Sequence, residues 1–171
     1  MYCPGRACLQ GFRKPAPSES LQDLPDLNRL WLDNNQVSDL APLAKLTKLN
    51  WLWLSGNQVR DIGALHYVTG IVGLDLSHNV VDDLSPLAGL AKLSTLNLAG
   101  NKISDLSPLT FLAGLARVNV GYNLISEVGT LANSTNLSAG DILDLTGNPL
   151  SRNALETDIP SLETLGITVY R

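Results

Sequence analysis

The most constraining feature of the sequence is an asparagine that recurs at a fixed interval. The first five copies lie 22 residues apart and the sixth follows after 25 residues. The six residues are Asn35, Asn57, Asn79, Asn101, Asn123 and Asn148. A fixed period of about 20 to 50 residues indicates a repeat architecture, in which each unit contacts only its neighbours. We therefore expect a row of similar stacked coils.

One unit, residues 93–112, illustrates the residue types in each coil; it reads LSTLNLAGNKISDLSPLTFL. Leu96 and Leu98 alternate with polar residues, which predicts a short strand whose leucines point inward. The amide of Asn101 has two donors and an acceptor, enough to satisfy backbone groups of the bend that follows. Ser107-Pro108 suits the opening of a short helical turn, because proline fits the first helical position. One such coil cannot close a core alone, so the coils must stack.

These residues resemble a leucine-rich repeat, with the skeleton Leu-x-x-Leu-x-Leu-x-x-Asn-x-Ile followed by Asp-Leu-Ser-Pro-Leu. The 22-residue form is similar to the internalin type of bacterial surface repeat and, more loosely, to repeats of protein-phosphatase regulatory subunits. The resemblance covers roughly residues 21–171. It implies an α/β fold: a right-handed solenoid with a concave parallel β-sheet, short 3-10 or helical turns on the convex side, and a helical C-terminal cap. The 34 leucines among 171 residues suit such stacked layers.

The chain divides into an N-terminal segment with a partial capping repeat (1–23), about six repeats (24–148) and a C-terminal cap (149–171). The predicted strands are residues 30–32, 52–54, 74–76, 96–98, 118–120 and 143–145. Where Gly63 and Gly129 open the outer turn in place of the proline found in other repeats, we expect a looser turn. In the cap, helical spacing predicts a buried face from Ala154, Leu155, Ile159, Leu162 and Leu165.

Charge and motif content exclude several classes of function. A net charge of −4 and a pI near 5.0 argue against a nucleic-acid surface. No apolar run approaches the roughly 18 residues of a membrane span, so membrane insertion is not expected. With two histidines and no glycine-rich phosphate loop, HExxH motif or serine elbow, the chain is predicted to be non-enzymatic and to need no cofactor.

The first residues lack the apolar core of a secretory signal, so the chain is either cytoplasmic, or a mature form or fragment of a longer protein. The resemblance to internalins implies a secreted or cell-surface protein, and we expect a monomer.

Acidic residues form a row four residues after the recurring asparagines. They are Asp39, Asp61, Asp83, Asp105 and Glu127. This ladder could bind calcium, or each side chain could cap the backbone N–H groups of its own helical turn.

Two cysteines and two sequence motifs leave further alternatives. Cys3 and Cys8 could form a small disulfide loop sealing the N-terminal end, or remain two free thiols. A metal site is not predicted, because two cysteines cannot close a zinc site and both histidines lie in distant repeats. Asn133-Ser134-Thr135 and Asn136-Leu137-Ser138 match the glycosylation acceptor pattern, but the resemblance is bacterial and we interpret them as loop residues.

The predicted concave face carries all three tryptophans of the chain. Four residues before each asparagine, a mid-strand row reads Trp31, Trp53, Asp75, Asn97, Asn119, Asp144. Six residues before, a strand-start row reads Arg29, Trp51, Gly73, Thr95, Arg117, Ile142. Exposed aromatic residues with a polar rim have the composition of a binding hot spot.

We therefore expect this face to bind another protein. The predicted contact residues are Trp31, Trp51, Trp53, Arg29, Asp33, Asp75, His78, Asn97, Arg117, Asn119 and Tyr122. The alternatives are a carbohydrate-binding surface, a structural spacer in a larger surface protein, or tryptophans that only stabilise the sheet or lie under the N-terminal segment.

Overall fold

The chain forms a solenoid in which each coil adds one short strand to a single sheet. The structure is a computed structural model that describes residues 8, 9, 24 and 26–171. The strands are β1 (Cys8–Leu9), β2 (Arg29–Trp31), β3 (Trp51–Trp53), β4 (Gly73–Asp75), β5 (Thr95–Asn97), β6 (Arg117–Asn119), β7 (Ile142–Asp144) and β8 (Thr168–Tyr170). They lie side by side in chain order, all parallel except β1, which pairs antiparallel with β2.

Strand pairing keeps equivalent repeat positions in register. Leu30 pairs with Leu52 and Leu52 with Leu74, so each row of the sequence pattern becomes a row across the sheet. The 25-residue interval does not shift this register, because Asn119 still pairs with Asp144. Each strand begins one residue earlier than predicted and ends one residue earlier, where the chain bends towards the recurring asparagine.

The first strand of the sheet differs from the sequence expectation, whereas the last strand overlaps a segment, residues 167–169, whose sequence is strand-like. The antiparallel strand β1 was not predicted, because a two-residue strand without a repeat partner leaves no periodic signal. The last strand, β8, lies beyond the repeats and continues the parallel sheet at its far edge.

The core is a continuous stack of inward-facing leucines, valines and isoleucines. Leu96 and Leu98 are buried, as are their counterparts in neighbouring coils. The recurring asparagines border this core, and from Asn57 onward each bonds to its own coil and to a neighbouring coil. Asn101 Nδ2 donates to the carbonyl oxygens of Leu98 and Leu76, at 2.9 Å each, and Oδ1 accepts from the Val81 N–H at 2.9 Å.

The convex side carries short helical turns. The 3-10 turns are Ala41–Leu43, Gly63–Tyr67, Ser85–Leu87 and Ser107–Phe111, and helix α1 is Gly129–Ala132. The expectation of looser turns at Gly63 and Gly129 was wrong: the first opens a five-residue 3-10 turn and the second opens an α-helix. Buried Leu65 and Leu131 anchor these turns to the core, which fixes them without proline.

A row of aspartates sets the start of these turns. Each accepts a hydrogen bond from the backbone N–H two residues later: Asp39 from Ala41 (2.8 Å), Asp61 from Gly63 (2.7 Å), Asp83 from Ser85 (2.8 Å) and Asp105 from Ser107 (2.8 Å). The carboxylates therefore satisfy N–H groups that the turn itself leaves unpaired.

The C-terminal cap closes the last hydrophobic layer. A π-helical turn, Ala154–Asp158, leads directly into helix α2 (Ile159–Thr164), and Pro160 sits in the first turn of α2. Ala154, Ile159 and Leu162 are buried. Leu155 and Leu165 were also predicted to be buried but are exposed: Leu155 lies in the π-helical turn and Leu165 follows the last residue of α2. Among the described residues, no helix is long and apolar enough to cross a bilayer.

Candidate functional site

The three tryptophans form one stack on the concave sheet. The Trp31 and Trp53 ring centroids are 4.3 Å apart with planes within 4° of parallel. Trp51 stacks on Trp53 with centroids 5.5 Å apart and planes at 15°. The strand spacing of about 4.8 Å is close to a stacking distance, so the parallel pairing of β2 and β3 brings these rings face to face. We call these three residues the aromatic column.

Trp51 leans out of its own strand towards β4. A Cβ atom placed on Gly73 would lie 2.1 Å from Cζ3 and 2.2 Å from Cε3 of Trp51. The Trp51 ring therefore lies over β4, whereas Trp31 belongs to β2 on the other side of β3. The aromatic column spans three strands, and Trp53 has a tryptophan neighbour on each side.

All three rings of the aromatic column are half-buried. The sequence predicted exposed tryptophans, and in the structure the rings cover part of each other's surface. Since stacking buries ring faces, the column presents mainly ring edges to the solvent in the concavity.

A chain of hydrogen bonds runs beside the aromatic column. Asp33 Oδ1 accepts from the Ser55 N–H at 2.8 Å, and the hydroxyls of Ser55 and Ser77 are 2.9 Å apart. Ser77 Oγ donates to Asp75 Oδ1 at 2.6 Å, and Asn97 Nδ2 donates to Asp75 Oδ2 at 3.0 Å. These five residues, which we call the polar network, connect four successive coils.

Asp33 is a half-buried acid of this surface. Burial raises the pKa of Asp33 above its ordinary value of 3.8, the hydrogen bond from the Ser55 N–H opposes that rise, and the negative charge of Asp75 adds to it. Asp33 follows Trp31 by two residues, so this poorly solvated negative charge borders the aromatic column.

The mid-strand row beyond the tryptophans also shapes the strand exits. The side-chain oxygens of Asp75, Asn97, Asn119 and Asp144 each accept the backbone N–H two residues later, at 2.8 to 3.2 Å. These polar residues therefore have a local backbone role whether or not they also contact a partner.

The remaining predicted contact residues are spread along the sheet. Arg29 is exposed at the start of β2, near the aromatic column. Arg117 and Tyr122 flank β6, three strands from β3. His78 and Tyr122 are exposed residues with positive φ (54° and 55°), at a position where other repeats have glycine. The predicted set thus extends without a break from β2 to β6, because Asn97 on β5 pairs with Asp75 on one side and with Asn119 on the other.

Three residues of this surface were not predicted to be part of the site. Ser55 and Ser77 link the polar network, and Gly73 lies under the Trp51 ring. The serines share one repeat position, two before the asparagine, and that recurrence was an available signal. The signal for Gly73 was a glycine in a row where the neighbouring repeats carry side chains.

The sequence also raised a metal site, two glycosylation-type motifs and a disulfide. The described residues contain no group of three or more histidines, cysteines, aspartates or glutamates placed to hold a metal ion. Asn133 is exposed and donates to the Gly129 carbonyl at 2.7 Å, and Asn136 donates to the Thr110 carbonyl. Cys3 lies outside the described residues, so the disulfide with Cys8 stays a prediction.

Comparisons with known proteins agree on the architecture. A family profile described as Leucine Rich repeats (2 copies) matches residues 25–65 and 69–111. An internalin (inlF) from Listeria monocytogenes superimposes with a TM-score of 0.77 at 34% identity, covering 88% of this chain and 45% of that one. Internalin C2 from the same species gives a TM-score of 0.62 at 31% identity, covering 87% of this chain and 74% of that one.

A more distant likeness shows the fold alone. It is to the leucine-rich repeat ectodomain of a plant membrane receptor kinase from Arabidopsis thaliana, with a TM-score of 0.69, 22% identity and coverage of 87% of this chain and 18% of that one. No curated protein sequence matches this chain. The repeat pattern, the in-register parallel sheet and the likeness to two internalins lead to one conclusion: the chain belongs to the leucine-rich repeat proteins of the internalin-like type.

Proposed function

We propose that this protein is a non-enzymatic interaction module that binds another protein on its concave face through the aromatic column. The observation that carries the proposal is the stack of three tryptophans on an otherwise polar sheet surface. Leucine-rich repeat domains generally mediate protein–protein interactions, which supports a protein as the partner. Trp31, Trp51 and Trp53 are the anchors, with Arg29, Asp33, Asp75, His78, Asn97, Arg117, Asn119 and Tyr122 as surrounding contacts.

Energetics support a binding role over a purely structural one. An aromatic pair contributes about 0.5–1.5 kcal/mol beyond the area it buries, and the hydrophobic layer beneath this sheet is complete without it. Tryptophans at the centre of an interface can contribute at least about 2 kcal/mol each. Stacking leaves part of each ring exposed to solvent. Burial of that remaining apolar area stabilises the protein only when a partner covers it.

Electrostatics indicate what surrounds the anchors on the partner. Burial, and to a lesser extent the negative charge of Asp75, raises the pKa of Asp33, so that ionisation of Asp33 beside the column is costly. A lysine or arginine of the partner placed there would offset that cost and orient the apolar contact. The ring geometry gives no comparable support to a sugar, because a sugar ring stacks on an open indole face and Trp53 has neighbours on both sides.

Affinity capture tests the proposal when three proteins are compared. Wild type and a Trp31→Ala/Trp53→Ala variant differ in the concave column. A Tyr67→Ala/Phe111→Ala variant is the matched control, since both residues are aromatic, 62% and 69% exposed, and belong to convex turns. We expect the same protein to be captured by wild type and by the convex control, but not by the concave variant. Equal capture by the concave variant would contradict the proposal.

The resemblance of the repeats to bacterial surface repeats also supports a cell-surface or secreted location over a cytoplasmic one, and we propose that the domain is a monomer. Protease added to intact cells of the source organism should digest a surface protein, and a secreted protein should be found in the medium. Protection of the whole cellular pool until lysis would contradict this location. Light scattering on the purified domain should give the mass of one chain.

A further inference from the structure

Gly73 occupies a position on the concave sheet where the neighbouring coils carry side chains. It is the first residue of β4 and pairs in register with Trp51 of β3. The equivalent residues of the coils on either side include Arg29, Thr95 and Arg117. The strand geometry at this position therefore accepts branched and long side chains in other repeats.

Space, and not backbone conformation, explains the glycine. The glycines with positive φ are Gly56, Gly100, Gly140, Gly147 and Gly166, and Gly73 is not among them. An alanine would adopt the Gly73 backbone without strain. Its Cβ, however, would lie 2.1 Å from Cζ3, 2.2 Å from Cε3 and 2.9 Å from Cδ2 of Trp51. Since real Cβ atoms do not approach other heavy atoms so closely, an alanine here would displace the Trp51 ring.

We propose that Gly73 is a positioning residue of the aromatic column. Because Gly73 has no side chain, the Trp51 ring can lie over β4 and stack against Trp53. The role in binding rests on the proposed function, whereas the role in positioning does not. With Trp51 in place, both faces of Trp53 are stacked against other tryptophans and the column ends at β4. With a side chain at residue 73, Trp51 leaves this place and one face of Trp53 opens. Gly73 thus determines whether the site offers a partner a ridge of ring edges or a flat indole face.

Circular dichroism of four variants tests the positioning role without any partner. Stacked indoles couple their electronic transitions and give paired bands of opposite sign in the far ultraviolet. The variants are Gly73→Ala, Trp51→Ala, the double variant Trp51→Ala/Gly73→Ala, and Gly89→Ala as the matched control. Gly89 has no positive φ, and its nearest heavy atoms are those of the His66 ring at 4.0 Å, so an alanine fits there.

We expect Gly73→Ala to weaken the paired bands and lower the melting temperature, and Gly89→Ala to do neither. In the Trp51→Ala background, where the ring is gone, Gly73→Ala should change neither the spectrum nor the melting temperature. Unchanged bands in Gly73→Ala would overturn the proposal. So would a Gly73→Ala destabilisation that persists without the Trp51 ring, because the alanine would then act on the backbone.

A titration against the captured partner separates this inference from the proposed function. Gly73→Ala should bind the partner more weakly than Gly89→Ala does. If the spectra behave as expected and affinity does not change, the positioning of Trp51 holds and its role in binding is wrong. If the spectra do not respond, the positioning itself is wrong, whatever the partner does.

Discussion

Asn101 illustrates how a single polar side chain holds two coils at their spacing. Its three hydrogen bonds, each 2.9 Å long, pair backbone groups at the border of the buried apolar stack. Asn57, Asn79 and Asn123 make the corresponding bonds to the coil that precedes each of them. The sequence predicted that an amide would satisfy the backbone groups of this bend, because an asparagine recurs at a fixed interval after the buried leucines.

Replacing Asn101 by alanine should destabilise the fold by about 1–3 kcal/mol, since the backbone groups lose their partner while neighbouring coils hold their positions. Denaturant unfolding measures the change. Lys102→Ala is the matched control, because Lys102 is the adjacent residue and is exposed, and it should stay within about 0.5 kcal/mol of wild type. Equal stability of the two variants would show that these amide bonds contribute nothing to the fold.

The raised pKa of Asp33 predicts the direction in which its contribution to stability changes with pH. Its pKa is higher in the folded chain than its ordinary value of 3.8, so the folded state holds this proton more tightly. The contribution of Asp33 to stability is therefore greatest below pH 3.8 and is lost as the pH rises through the folded pKa. Asp33→Asn keeps an oxygen to accept the Ser55 N–H and removes the charge.

We expect Asp33→Asn to be more stable than wild type at pH 7, with the difference shrinking towards zero as the pH falls below 3.8. Thermal melts from pH 3 to pH 7 would measure this. A difference that does not vary with pH would show that Asp33 ionises in the fold as it does in the unfolded chain.

At the level of secondary-structure elements, two adjacent carboxylates with different roles, Asp82 and Asp83, precede one convex turn. Asp83 accepts hydrogen bonds from the backbone N–H and the hydroxyl of Ser85, at 2.8 Å each, which lower its pKa below 3.8. Asp82 pairs with Arg60 at 2.7 Å on an exposed surface. Hydrogen bonds to an ionised acceptor stabilise a turn more than an exposed ion pair does.

Asp83→Ala should therefore cost about 0.5–2 kcal/mol, and Asp82→Ala between about 0 and 1 kcal/mol with a dependence on salt. Because the Asp83 pKa is lowered by folding, its contribution is present above pH 3.8 and is lost as the pH falls through the folded pKa. Chemical denaturation at two salt concentrations would distinguish the residues. A greater loss in Asp82→Ala would contradict the capping role of Asp83.

The elements that the sequence predicted are those with a repeated pattern. The parallel strands follow from alternating leucines before each asparagine, and the turns that begin with proline follow from Pro42, Pro86 and Pro108. Elements without a second copy were predicted less well. Strand β1 was missed, and the predicted burial of Leu155 and Leu165 was wrong, because Leu155 lies in a π turn and Leu165 lies beyond the end of α2.

The candidate site shows the same division. That all three tryptophans share one face followed from the repeat register alone. How they stack did not, because the direction of the Trp51 ring depends on the empty position at Gly73 in the next coil. The polar network also spans four coils, so its bonds depend on side-chain conformations that no single repeat specifies.

At the scale of the whole molecule, the stacked coils form a rigid frame that carries one chemically distinct region. A solenoid buries its core coil by coil, so a change on the outer surface of one strand affects mainly its neighbours. The aromatic column lies on β2 and β3 with its edge over β4, and the concave positions of the later strands are mainly polar apart from Ile142 and Tyr170. This separation should allow the column to be altered without loss of the fold.

The most direct test of the binding role combines melting temperature and partner affinity in the Trp31→Ala/Trp53→Ala variant. Loss of stacking should cost the fold about 1 kcal/mol, a shift of roughly 2–4 °C for a domain of this size. Loss of two anchors should weaken partner binding by at least about 30-fold, equivalent to about 2 kcal/mol. A near-native melt with binding lost is the predicted result. Unfolding of the variant, or a near-native melt with undiminished affinity, would contradict the assignment of the aromatic column as the binding site.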